Sequence, residues 1–213
     1  MIRMIAFDFD GTIADTIPIC MEAFNTAASP YAGHKLTKQE IVKTFGLNET
    51  GMVKSLVKDN WEAALEDFYF SYEKLHVKCM EPFPQIIELI NFLKEKNIIV
   101  ALITGKGKIS CDISLKNLKL EEAFSEIMLG DEGYFNKAES IQKLMNKYSV
   151  KSDEFYYVGD AVSDVTACRE AGVTCLSAAW SEGVNLEQLI KFNPGFIYYD
   201  IVKLKDFLLK HCI

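Results

Sequence analysis

Two acids separated by one residue, Asp8 and Asp10, stand at the end of a short apolar run from Ile2 to Phe7. Carboxylates so spaced can serve one centre in two roles. One can act as nucleophile and metal ligand. The other can move a proton. A second acidic pair, Asp160 and Asp164, lies in Gly159-Asp160-Ala161-Val162-Ser163-Asp164. Both acidic clusters are capable of holding a metal ion. A hydroxyl, Thr104, and an ammonium, Lys137, complete the set.

These residues can act together only if the chain brings them to one edge. Ile2 to Phe7 is β-prone and apolar apart from Arg3, so it reads as a buried strand with Asp8 at its carboxyl end. Gly11 and Asp15 mark a turn directly after it. Ile98 to Ile103 reads as a second buried strand, closed by Thr104-Gly105-Lys106-Gly107. A helix over 108–119, a short strand near 125–129 and a helix over 137–148 follow. Phe155 to Val158 reads as a strand ending in Gly159-Asp160, and a helix over 163–171 runs to Gly172 as its C-cap. Strands over 173–176 and 196–199 and a terminal helix from about residue 203 complete the series. This alternation predicts an α/β fold, a Rossmann-like parallel sheet with right-handed crossovers and helices on both faces. In such sheets ligands bind at the carboxyl edge.

Between the first turn and Glu81-Pro82-Phe83-Pro84 the pattern is helical throughout. Thr37 and Glu40 suit a capping box, Gly46 a helix stop, and Asn48 or Thr50 the next start. The expected division is a core of residues 1–15 and 81–213 and an inserted helical unit of residues 16–80.

The chain has 213 residues and a net charge of −7, which argues against binding a nucleic-acid backbone. A small anionic substrate remains open, because a bound cation can reverse the local field. Six cysteines occur without a CxxC pair and read as reduced core thiols in a cytoplasmic protein. His211 beside Cys212 reads as a frayed C-terminus, not a zinc site. The N-terminus does not read as a signal peptide. The longest apolar run, Ile98 to Ile103, is too short to span a bilayer. No membrane partner is expected, and the chain is expected to be a monomer or weak homodimer.

The ordered set DFDGT at 8–12, ITG at 103–105, Lys137 and GDAVSD at 159–164 resembles the haloacid dehalogenase-like superfamily of phosphohydrolases. The resemblance covers essentially the whole chain. The helical insertion looks like the small cap of phosphoglycolate phosphatase-like and β-phosphoglucomutase-like members. The resemblance implies that Asp8 attacks phosphorus and becomes an aspartyl-phosphate. It implies that Asp10 protonates the leaving oxygen and then deprotonates water. Mg²⁺ would be held by Asp8, the backbone carbonyl of Asp10 and Asp160, with Asp164 acting through water or behind the ligands. Thr104 would bond a phosphoryl oxygen, and Lys137 would neutralise charge on the nucleophile and phosphoryl group. Gly11, Thr12 and Gly105 would help hold the phosphate. Phe45, Leu47 and Asn48, between two cap helices, would meet the leaving group.

Other readings stand beside these. Thr104 suits a cap for the next helix. Lys106 and Lys108 compete with Lys137, and Lys106 reads equally as facing phosphate or solvent. The family often has Lys-Pro where this chain has Lys137-Ala138. Asp164 suits the first turn of a helix.

The same resemblance bears on which member this is. Dehalogenases and phosphonate hydrolases depart from the family at the position of Asp10 and are disfavoured. A phosphatase acting on a small phosphorylated metabolite is expected. A β-phosphoglucomutase-like phosphotransferase is the alternative, although Cys20 stands where those mutases carry a histidine. A catalytically silent binding module is the other. The cap has no arginine, the whole chain having only Arg3 and Arg169. Lys43, Lys54 and Lys58 are its candidates for a second anionic group. Carboxylate recognition benefits from the arginine fork, so strict phosphoglycolate specificity is not supported.

Overall fold

A computed structural model describes residues 1–133 and 135–211. Strand β1 (Met4–Phe7) lies at the centre of a six-stranded sheet. The others are β2 (Ile99–Thr104), β3 (Glu126–Leu129), β4 (Phe155–Gly159), β5 (Thr174–Ala178) and β6 (Ile197–Tyr198). The order is β3-β2-β1-β4-β5-β6 and every pairing is parallel. The chain builds outward from β1 on one side, then crosses back to start β4 on the other. That reversal makes a crevice at the carboxyl ends of β1 and β4. Phe7 pairs with Leu102 and with Val158, so Asp8 leaves the sheet beside the ends of both neighbours.

The period-two alternation of β1 divides its side chains between two cores. Ile5 and Phe7 join one with Leu102, Val158 and Leu176; Met4 and Ala6 join the other with Ile103, Tyr157 and Cys175. Helices α6 (Ile86–Glu95), α7 (Lys108–Leu118) and α11 (Ile201–His211) cover the first face. Helices α8 (Lys137–Tyr148), α9 (Val162–Ala171) and α10 (Leu186–Phe192) cover the second. The α/β expectation is correct in class and in strand order along the chain.

Between β1 and β2 come α1 (Ile17–Ala27), α2 (Ser29–Ala32), α3 (Lys38–Val42), α4 (Glu49–Leu56) and α5 (Trp61–Leu75). Thr37 and Glu40 form the capping box of α3, and Asn48 caps α4 by accepting from Gly51 N–H. Helices α1 and α5 pack through Phe24 and Phe68, whose ring centroids are 4.3 Å apart. The returning chain bonds the outgoing one, Phe83 N–H donating to Ile13 O at 2.9 Å. A groove of about 550 Å³ lined by Pro18, Glu22, Lys78, Met80 and Phe83 opens beside these linkers, not over the carboxylates.

Two α-helices escape the sequence pattern, the four-residue α2 and the seven-residue α10. Among the described residues no helix is long and apolar enough to cross a membrane. Cys20, Cys79, Cys111, Cys168 and Cys175 are free and buried. Cys212 lies outside the described residues.

Candidate active site

The end of β1 is built for a close approach. Asp8 N–H donates to Val158 O at 2.8 Å, which ties the loop after β1 to β4. Gly11 has φ +84°, and a Cβ there would stand 2.4 Å from Asp160 Oδ2. Both the backbone and the space therefore call for glycine. Gly159 meets a similar limit, since a Cβ would lie 2.5 Å from Asp164 Oδ2. Thr12 Oγ1 donates to Asp160 Oδ1 at 3.3 Å, and the Trp180 indole N–H holds Thr12 O at 3.1 Å.

Asp8, Asp160 and Asp164 gather with one carboxylate oxygen each, all within 4.8 Å of one another. Asp164 is fully buried and bonds Ala161 N–H at 3.0 Å, so it also caps its own helix. Lys137 Nζ lies 2.6 Å from Asp164 Oδ1 and 3.0 Å from Asp8 Oδ1. Asn136 accepts from Ala138 and Glu139 N–H, which starts α8 at Lys137. The Tyr157 hydroxyl donates to Asp164 Oδ1 at 3.2 Å.

Charge in this cluster is unbalanced. Burial pushes the Asp8 carboxyl up to about 7, with Asp164 and Asp10 adding to the rise and Lys137 opposing it. Burial likewise pushes Asp160 up to about 8, helped by Asp8 and Asp164. Burial alone would lower Lys137, but Asp164 and Asp8 outweigh it and hold the ammonium above its ordinary value. Three carboxylates face one ammonium. The donors are all oxygen, which suits a hard divalent cation such as Mg²⁺. Asp8 and Asp160 would hold it with the backbone carbonyl of Asp10, and Asp164 stands within the same cluster.

Asp10 is turned to the other side of the loop. Its Oδ1 accepts from Thr16 Oγ1 and lies 3.1 Å from Lys106 Nζ. Lys106 is buried, donates to the Tyr72 hydroxyl of α5 at 2.9 Å, and lies over the Tyr72 ring. The reading that turned Lys106 to solvent is therefore corrected: Tyr72 of α5 and Asp10 enclose it. Lys108 is exposed and pairs with Asp112. Thr104 is buried at the end of β2 and accepts from Lys106 N–H at 3.2 Å. It does not cap α7, whose N-cap is Gly107. Gly105 follows Thr104 in the same turn, and a Cβ on Gly130 would lie 2.1 Å from Gly105 O.

The loop between α3 and α4 lies close to the loop after β3 but is not uniformly turned inward. Phe45 is 42% exposed, while Leu47 packs on the core cluster. Asn48 N–H donates to Asp131 O at 3.0 Å, and its side-chain amide reaches Gly130 O at 3.4 Å. Two residues the sequence did not single out for the site are Glu49 and Tyr72. Glu49 accepts from Gly107 N–H at 2.7 Å and from the Ser110 hydroxyl. Its only sequence signal is an acid in the first turn of a helix, which is common and electrostatically favourable.

The pattern of the haloacid dehalogenase-like hydrolases matches residues 5–178, and the chain belongs to that family. It is 25% identical over 208 residues to pyrophosphatase PpaX of Halalkalibacterium halodurans, covering 96% of both chains. It is 26% identical over 195 residues to phosphoglycolate phosphatase 1 of Pseudomonas aeruginosa, covering 86% of this chain and 71% of that one. A crystal structure described as a predicted phosphoglycolate phosphatase from Haemophilus somnus 129PT shares the fold. Its TM-score is 0.78 at 19% identity, over 95% of this chain and 97% of that one.

Proposed function

We propose that the chain is a Mg²⁺-dependent phosphatase that hydrolyses small organic phosphate monoesters through an aspartyl-phosphate on Asp8. The observation that carries this reading is Asp8 at the end of the central strand, with Lys137 Nζ 3.0 Å from Oδ1 and Asp10 two residues on. The phosphatase names borne by relatives over nearly the whole chain support it.

In the first half-reaction the Asp8 carboxylate forms a bond to phosphorus as the bond to the leaving oxygen breaks. Asp10, as the acid, gives its proton to that oxygen. In the second, Asp10 takes a proton from water as the water oxygen bonds to phosphorus. The bond to Asp8 then breaks, releasing inorganic phosphate and restoring the Asp8 carboxylate and the protonated Asp10. Lys137 balances charge on Asp8 throughout, and Thr104 and the turn at Gly105 orient the phosphoryl oxygens; the expectation that Gly11 and Thr12 N–H do so is corrected, because they donate to Ala14 O and Phe9 O. Mg²⁺, when bound by Asp8, Asp160 and the Asp10 carbonyl, supplies positive charge to the transferring group. Residues 16–80 act as a cap over a core of residues 1–15 and 81–213, and Phe45, Leu47 and Asn48 line the leaving-group side.

The test is hydrolysis of p-nitrophenyl phosphate by the purified chain. Turnover is expected with Mg²⁺ and not with excess chelator. Asp8→Asn is expected to abolish it while leaving the melting temperature measurable and cooperative. Wild-type turnover by Asp8→Asn would exclude the aspartyl-phosphate route.

A further inference from the structure

At the start of α7, next to the turn that carries Lys106, the helical unit contributes a carboxylate. Glu49, the first residue of α4, is only 4% exposed. Its Oε2 accepts from Gly107 N–H at 2.7 Å and its Oε1 accepts from the Ser110 hydroxyl. Gly107 and Ser110 belong to the start of the eleven-residue helix α7. A helix start of this kind is where a foreign anion would ordinarily be held. Here the seat lies three residues beyond Thr104 and beside Lys106, and Glu49 already fills it.

The buried and rim cations that would offset a second anion are committed elsewhere. Lys106 is held by Asp10 and Tyr72. Lys54 pairs with Glu132, and Lys108 with Asp112. Arg3 binds Ser149 O and Glu154, and Arg169 binds Phe192 O. Lys43 and Lys58 are exposed. A leaving group with its own negative charge would have to displace Glu49 from its two donors or sit against its carboxylate. Like charges brought together in a buried site disfavour binding.

We propose that Glu49 is a specificity-determining residue. It selects monoesters whose leaving group carries no second negative charge (neutral alcohols, polyols, amino alcohols) over those bearing a carboxylate or a further phosphate. This inference rests on the phosphatase reading above. It separates the chain from enzymes acting on 2-phosphoglycolate or pyrophosphate.

The experiment measures kcat/KM of the full chain with Mg²⁺ for glycerol 1-phosphate, phosphoethanolamine, 2-phosphoglycolate and pyrophosphate. p-Nitrophenyl phosphate serves as control. The two substrates without a second negative charge are expected to exceed the two anionic ones by about tenfold or more. Glu49→Gln keeps an acceptor for Gly107 N–H and removes the charge. It is expected to raise the ratio of 2-phosphoglycolate to glycerol 1-phosphate by about tenfold, and Glu49→Asp to leave the ratio low. The wild-type panel decides the matter even where a variant folds poorly. A wild-type preference for 2-phosphoglycolate or pyrophosphate overturns the inference, as does an unchanged ratio in a well-folded Glu49→Gln. If p-nitrophenyl phosphate is not hydrolysed, the phosphatase reading falls and this inference with it. If it is hydrolysed but the ratio is wrong, only the inference falls.

Discussion

Lys137 is the one ammonium between Asp8 and Asp164, and both bonds are short enough to fix its position. On the proposed mechanism, Lys137→Ala removes a charge aimed at the site where negative charge develops. With saturating Mg²⁺, kcat is expected to fall by about 10²–10³, the range for loss of one such group. Steady-state kinetics checks this, and an unchanged kcat would remove Lys137 from the chemistry. Gly11→Ala tests the geometry. A side chain at φ +84° is strained, and its Cβ would push Asp160 away. A loss of about 1–3 kcal/mol in denaturant unfolding is expected, together with weaker Mg²⁺ affinity by titration. Some residue positions were legible because a local signal marked them. Asp8 ends one apolar run, and Gly159-Asp160 ends another. The contact of Lys106 with Asp10 and Tyr72 was not legible, because it joins three distant segments and no period in the sequence encodes it.

Helix α5 shows how an element ties the helical unit together. Its face of Ala64, Phe68 and Tyr72 is fully buried, with Phe68 packed between Phe24 and Tyr72. Phe68→Ala is expected to cost about 3–5 kcal/mol of unfolding free energy, because the cavity lies in a packed cluster. A shift in the denaturation midpoint measures it. Just beyond α5, His76 is buried, with Nδ1 3.0 Å from Cys79 O and Nε2 3.0 Å from Ser114 Oγ. A carbonyl only accepts, so Nδ1 carries the hydrogen and neutral Nε2 accepts from Ser114. Burial lowers the His76 pKa below its ordinary value of 6.5; Lys106 adds to the lowering, while Cys79 O and Asp10 oppose it. The unfolded chain therefore takes up this proton first as pH falls. The stabilisation is present above the ordinary value of 6.5 and is lost as pH falls from there towards the folded-state pKa. Melting temperatures of wild type and His76→Gln from pH 7.5 to 5 should converge as pH falls; a constant gap would rule out the linkage. Elements with strong periodicity or caps, such as β1 and α8, were legible from sequence alone. Helix α2 has four residues and is too short to stand without its neighbours, so little in its own sequence announces it.

At the scale of the molecule, the segment from Gly46 to Lys54 meets two core loops through polar contacts. Phe135 N–H donates to Gly46 O at 3.1 Å, Asn48 N–H to Asp131 O at 3.0 Å, and Gly107 N–H to Glu49 at 2.7 Å. Lys54 pairs with Glu132 at the exposed rim. Such a pair at the surface contributes about 0–1 kcal/mol, so it is a weak latch. The opposite side of the unit is joined to the core by adjacent linkers, where Phe83 N–H meets Ile13 O. Polar contacts on one side and paired linkers on the other suit a hinge that opens without unfolding either part. Amides at the latch should then exchange by local opening, and those within β1 only by deeper unfolding. Hydrogen exchange is expected to be faster at Asn48, Gly107 and Phe135 than at Ile5 to Asp8, by about two orders of magnitude or more. Mg²⁺ with a non-hydrolysable phosphate analogue should slow the first group and leave the second unchanged, because a ligand held between cap and core favours the closed form. Equal exchange in the two groups, or no protection at the latch on adding ligand, would mean that residues 46–54 are a fixed part of the core surface and that substrate enters by another route.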